Sequence, residues 1–252
     1  MMRTVLATRY VEPLREGGSL PALVEGDDDG LYVLKFRGAG QGPSVLVAEI
    51  VAGEVARRLG LPVPELVYVE VPAELGLAEP DQEVRDLIRA SVGLNLGMDF
   101  LPGALAYDPA AGMPPDPAFA ADVVWFDGLM LNVDRSARNP NLLVWHGRHH
   151  LIDHGAALYP HHADPHIARA VDRVLPMPGD HVLLPGAGSV LEADARLAGR
   201  LGPADLAEVV ALIPETWLAG PGLREEYAEF VLRRLAGPRD FARAAEEARA
   251  HG

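Results

Sequence analysis

The chain contains no cysteine, and only one of its 22 basic side chains, Lys35, is lysine. The first absence excludes disulfides and cysteine-ligated metals, and it is compatible with a reducing cytoplasm. Aromatic residues make up only 6%. Trp125, Trp145 and Trp217 read as core or partly buried aromatics, not as a base-stacking platform. Basic groups are outnumbered by 36 acidic ones, for a net charge of −14. Such a balance argues against a general nucleic-acid or anionic-membrane surface, because those partners need their phosphates neutralised. A small anionic ligand in a local basic pocket is still compatible. No apolar run approaches bilayer-spanning length and the N-terminus lacks a signal-peptide core, so a cytoplasmic protein without membrane contact is expected.

What the chain does have is apolar mass. At 252 residues and 49% hydrophobic, it can build a substantial core, as one large domain or two packed lobes. The single lysine sits inside the apolar alternating stretch Leu31-Tyr-Val-Leu-Lys-Phe36. Arginine replaces lysine on a solvated surface with little penalty, but not where a compact ammonium must fit a tight site. Compositional bias could also leave one lysine anywhere. The position points to a specific partner, a phosphate or a carboxylate.

Along the first part of the chain the pattern predicts strands over 4–9, 20–25 and 31–36. A helix from Pro43/Ser44 to about Leu59 follows, stopped by Gly60 and Pro62. Another strand covers 66–71 and a helix 81–89. Residues 98–102 read as a connection between lobes, followed by a Pro/Gly/Ala-rich loop to Pro115. Asp116 is a helix N-cap with Pro117 at the first turn, and that helix runs to about Leu131. A polar loop covers 132–141, then a hairpin of 142–145 and 149–152 crosses His146-Gly-Arg148. Further helices are expected over 167–174, 189–201, 204–212, 223–235 and 239–250. Residues 163–188 are a candidate activation or substrate segment, and the last helix reads as solvated and amphipathic.

Three features could carry chemistry. Lys35 on a strand is followed by Glu49 in the next helix, which could hold the ammonium toward a phosphate; alone, Glu49 reads as an exposed helix carboxylate. In Asn132-Val-Asp-Arg-Ser-Ala-Arg-Asn-Pro-Asn141, the spacing of Asp134 and Asn139 lets a carboxylate accept a hydroxyl proton while an amide oxygen coordinates magnesium. Arg135 and Arg138 add positive charge where phosphates would lie. The bland alternative is an Asn/Asp-rich turn. In Leu151-Ile-Asp-His-Gly155, an apolar strand ends in an acid that could face a metal, or in an ordinary Asp-x-Gly turn. Upstream, Gly17, Gly18 and Ser19 lie in a loop between the first two strands, where backbone N–H groups could meet nucleotide phosphates.

The order of these features matches protein-kinase-like machinery. On Gly17-Gly-Ser19, Tyr32–Phe36, Gln41-Gly-Pro43, Glu49, Leu59-Gly-Leu-Pro-Val-Pro-Glu65 and the two acidic motifs, the chain resembles the HipA-like kinases, and most of all a short bacterial branch lacking the extra N-terminal subdomain. Phosphoinositide kinases share a similar arrangement. The resemblance covers about residues 4–160. It implies an α+β, two-lobed protein-kinase-like fold: an N-lobe of antiparallel sheet plus one helix over about 1–97, a hinge at 98–102 and a mainly helical C-lobe over 103–252, with ATP in the cleft. It implies ATP and Mg²⁺, with Asp134 as catalytic acid/base and Asn139 and Asp153 as metal ligands. Lys35 would lie on the nucleotide phosphates and Glu49 would orient it. The glycine loop departs from the eukaryotic kinase pattern, and His154 stands where those kinases have Phe. Transfer to a protein serine or threonine is the expectation; a nucleotide-binding pseudokinase-like module and a kinase for a small molecule or lipid are the alternatives. Oligomeric state is not legible.

Two other patterns are weaker. Seven of the nine histidines fall between His146 and His166, which suits a metal centre in number. Pro165 interrupts a helix there, though, and His149 and His150 point to opposite faces of a strand. Gly38-Ala-Gly-Gln-Gly-Pro43 invites a dinucleotide-binding reading, but the third glycine would fall at Pro43.

Overall fold

The structure is a computed structural model that describes residues 2–14, 20–40, 42–77 and 79–251. The chain divides into two compact units: 1–46 with 64–102, and 47–63 with 103–252.

The first unit is a closed barrel of five strands. β1 (Thr4–Pro13), β2 (Ala22–Gly26) and β3 (Leu31–Lys35) form the expected antiparallel meander. β4 (Leu66–Val71) and β5 (Gly93–Asp99) complete the order β1-β2-β3-β5-β4, and a parallel pairing of β1 with β4 closes it. The expected antiparallel sheet therefore includes one parallel pairing and closes into a barrel. β5 is absent from the sequence reading because Gly93, Asn95 and Gly97 are poor strand formers. Tertiary packing explains one of them: a Cβ on Gly97 would stand 2.6 Å from Val69 Cγ2 and 3.1 Å from Val67 Cγ2. Met98 and Asp99, read as part of a connection, are the end of this strand and pair with Val33 and Tyr32. The barrel interior is filled by Val5, Ala7, Val24, Tyr32, Leu34, Val67 and Val69, with Val84 and Ile88 from helix α2 (Gln82–Ala90) packed against it. Asp81 caps α2 as its side chain accepts the N–H groups of Glu83 and Val84.

Helix α1 (Pro43–Leu59) has the predicted limits, and from Val47 onward it groups with the second unit. The core of that unit is helix α3 (Pro117–Met130), capped by Asp116 and buried along nearly its whole length. It packs against α4 (Val190–Leu197), α6 (Leu223–Ala236) and α7 (Asp240–His251); α5 (Pro203–Val210) packs on α6. The hairpin of β7 (Leu142–Trp145) and β8 (Arg148–Leu151) turns on His146 and Gly147, both at positive φ, so Arg148 is a strand residue and the loop has two residues, not three. A short β6 (Leu105–Ala106) pairs with β7 inside the region expected to be loop.

Residues 167–174 are not an α-helix. Short 3₁₀ turns run through 159–186, where Pro160, Pro165, Pro176, Pro178 and Pro185 prevent longer helical runs. The final helix is more than a solvated surface element. Glu246 Oε2 accepts from Ser189 Oγ (3.2 Å), Val190 N (2.6 Å) and Leu191 N (3.3 Å), capping the N-terminus of α4. Among the described residues no helix is long and apolar enough to cross a membrane.

Candidate functional site

In the barrel unit, the alternation of β3 sends Tyr32 and Leu34 into the interior and Lys35 to the opposite face. Lys35 is nevertheless buried, 8% exposed. The chain just beyond it is pinned by polar side chains. Arg37 N donates to Asn95 Oδ1 (2.8 Å) and Gly38 N to Ser91 Oγ (3.0 Å). Asn95 in turn donates to the carbonyls of Ser91 and Gly93, both at 2.7 Å. Gly38 must be glycine for this approach, since a Cβ would meet Ala90 Cβ at 2.7 Å. That is a packing role, unrelated to dinucleotide binding. Leu14 N donates to Pro21 O at 2.8 Å. Gly17, Gly18, Ser19 and Gln41 lie outside the described residues.

In the second unit, Glu49 is buried, not the exposed carboxylate its helix position suggests. Its Oε2 lies 3.8 Å from His154 Nδ1. The His154 ring is buried in a T-shaped contact with the Phe126 ring (centroids 5.8 Å apart), and its Nε2 has no hydrogen-bond partner among the described residues. His154 is held close to Asp153, which adopts a left-handed backbone conformation at φ 53°. Beyond the pairing of β8 with β7, the chain before it makes two further backbone bonds, Leu151 N to Pro62 O (2.8 Å) and Ile152 N to Asn141 O (3.0 Å).

Asn141 links this strand to the 132–141 loop. Its Nδ2 donates to the Asp134 carbonyl and, at 3.4 Å, to Asp134 Oδ2. Asn139 Nδ2 donates to the same Oδ2 at 2.8 Å, so Asp134 and Asn139 are brought together as the spacing suggested. Asp134 N donates to Asn132 Oδ1 at 3.2 Å. Asp134 is half-buried and Asn139 exposed, so both remain open to a reactant.

Beneath the loop lies a fully buried ionic cluster. Asp127 accepts from Asn132 Nδ2 (2.8 Å), Arg135 Nε (2.5 Å) and His181 Nε2 (2.9 Å). Burial alone would raise the Asp127 carboxyl; the Arg135 charge and the His181 hydrogen bond outweigh it and hold it far below the usual carboxylate range. Arg135 therefore does not add charge for phosphates. Its guanidinium is sealed in the core, with Nη1 donating to Asn141 O at 2.5 Å. Arg138 is exposed. A second buried arginine, Arg234 on α6, donates to the Gly128 and Leu129 carbonyls at the end of α3 and to the Val171 and Arg173 carbonyls, and stacks against Phe230 and Phe241. Burial lowers its pKa to about 10, which leaves it a cation at neutral pH.

A family model described as HipA-like kinase matches residues 8–182. The chain belongs to the HipA-like kinase family. Among solved structures it is similar to the proinflammatory kinase CtkA of Helicobacter pylori, at 14% identity and a TM-score of 0.57, covering 100% of this chain and 99% of that one. That identity carries the fold alone. A search of the curated proteins finds no match.

The matched span takes in Lys35, Glu49, Asp134, Asn139 and Asp153, and it also reaches Asp127 and His181. Asp127 and His181 are not among the site residues expected from sequence, although Asp127 carries the same signal as Lys35: a charge inside an apolar run, Val123-Val-Trp-Phe-Asp-Gly-Leu-Met130. The oxygen donors of Asp153 and Asn139 suit Mg²⁺. Because Asn139 commits its Nδ2 to Asp134, its amide oxygen is the atom it can offer a cation. Among the described residues no group of three or more His, Cys, Asp or Glu is placed to hold a metal.

Proposed function

We propose that this HipA-like kinase transfers the γ-phosphate of ATP, with Mg²⁺, to a hydroxyl on a protein serine or threonine. The observation that carries the reading is the Asp134–Asn139 pair, held open above a buried ionic cluster and joined through Asn141 to the strand that leads to Asp153. Asp134 orients the acceptor hydroxyl and takes its proton at a carboxylate oxygen, while the hydrogen bonds from Asn139 and Asn141 fix the carboxylate's direction. Asn139 and Asp153 hold the cation. When bound, Mg²⁺ neutralises charge on the nucleotide phosphates. Lys35 supplies a compact positive charge for those phosphates, and Glu49 orients it. The net charge of −14 makes a lipid acceptor on an anionic membrane the less favourable substrate.

The test is incubation with γ-labelled ATP and a cell lysate, with Asp134→Asn as control, followed by identification of the labelled species. Asp134→Asn is expected to keep ATP binding and to lower transfer by about 100-fold or more. Wild-type labelling by that variant would remove Asp134 from the chemistry. Lys35→Arg keeps the charge but changes its shape, and is expected to lower turnover by about tenfold or more. Unchanged turnover would make the single lysine incidental.

A further inference from the structure

His181 lies far along the chain from Asp134, yet its ring is enclosed beneath the 132–141 loop. Leu183 N donates to its Nδ1 at 3.1 Å. An acceptor Nδ1 carries no proton, so the ring proton is on Nε2, which donates to Asp127 Oδ2 at 2.9 Å. Asp127 holds both Asn132 and Arg135, the residues that flank Asp134 in the loop. The backbone repeats the connection: Ser136 and His181 form an isolated antiparallel bridge, and Val182 N donates to Arg135 O at 3.0 Å. A carboxylate in a dry site with one donor removed is left short of a charge-assisted bond, and the groups it holds gain freedom.

We infer that His181 is a positioning residue, a latch through which the segment after the Asp153 motif sets the conformation of the loop that presents Asp134. It touches no reacting atom. It acts through Asp127, which fixes Asn132 and Arg135, and those two in turn fix the backbone on both sides of Asp134. The kinetic part of this inference rests on the phosphotransfer reading above; the structural part does not.

The discriminating pair is His181→Leu, which removes the donor, and His181→Gln, whose distal amide can still donate to Asp127. In amide hydrogen exchange on the full chain, His181→Leu is expected to speed exchange over residues 132–141 by about tenfold, with β1–β5 unchanged and His181→Gln close to wild type. In turnover, His181→Leu is expected to lower kcat by about tenfold or more while KM for ATP stays within about twofold, and His181→Gln recovers most of the loss. Unchanged exchange over 132–141 in His181→Leu would overturn the latch. So would a glutamine variant no better than leucine, with kcat and KM moving together. If the wild-type chain shows no Asp134-dependent transfer, the phosphotransfer reading fails and the exchange measurement alone decides the latch.

Discussion

In the barrel unit, the strand carrying Lys35 is positioned by apolar packing. Tyr32 and Leu34 plug the interior, β5 and β2 fix the register, and neutral bonds from Asn95 and Ser91 hold the turn that follows. In the helical unit, the loop carrying Asp134 is positioned by a buried ion pair and its hydrogen bonds: Asp127 and Arg135, with His181 donating to Asp127, hold it from below, and Arg234 ties down the end of the helix leading into it. A regular strand satisfies its own backbone and needs only shape around it. An irregular loop at the end of a helix has orphan carbonyls and N–H groups, and in a dry setting these need polar side chains. Such a network tolerates less change, because each member leaves the others unsatisfied when it is lost.

The sharpest way to break this comparison is to remove charge from the helical unit. Asp127→Leu leaves Arg135 buried without its carboxylate and is expected to cost about 3–5 kcal/mol in urea unfolding. The double variant Asp127→Leu with Arg135→Met should recover much of the stability, because a buried pair is often replaceable by apolar residues, but not the phosphotransfer. Recovery of both would mean that the cluster serves stability alone. In the barrel the corresponding disruption is steric. Gly97→Val drives a side chain into Val67 and Val69 and is expected to cost about 1–3 kcal/mol, with faster amide exchange first in β4 and β5. An unchanged denaturation midpoint would show that the barrel is not set by this packing.

A smaller effect concerns pH. His161 donates to or accepts from Tyr227 OH at 3.0 Å, and burial, with a lesser contribution from His162, lowers its pKa to about 3. In the unfolded chain it titrates near its ordinary value, so the unfolded state binds more protons at pH values between the two. Its contribution is therefore complete above about pH 6.5 and declines as pH falls toward 3, by up to about 1.4 kcal/mol per pH unit. His161→Gln should flatten that acid limb of a stability–pH curve; an unaltered slope would place the acid sensitivity elsewhere.

Much of this was legible in residue types and spacing, and the illegible parts share a cause. Lys35 on its strand, the helix through Glu49, the Asp116 cap and the Asp134–Asn139 spacing all depend on neighbours in sequence. β5 was hidden because Gly97 answers to Val67 and Val69, which lie on another strand. The stretch 167–174 has helical spacing, but the prolines on either side limit it to 3₁₀ turns. Arg135 looked like a phosphate ligand because arginine beside an acidic loop usually faces water; the buried carboxylate one helix earlier reverses its direction. Glu246 looked solvated because nothing local reveals that it caps α4.

By itself the sequence determined most of the helices and β1–β4, the lone strand lysine and the order of acidic motifs, since period, capping and turn chemistry act over a few residues. Only the tertiary structure decided the barrel closure, the burial of Glu49 and the convergence of Asp127, Arg135 and His181. Those depend on which distant groups share a low-dielectric interior, where an unpaired charge is too costly to persist.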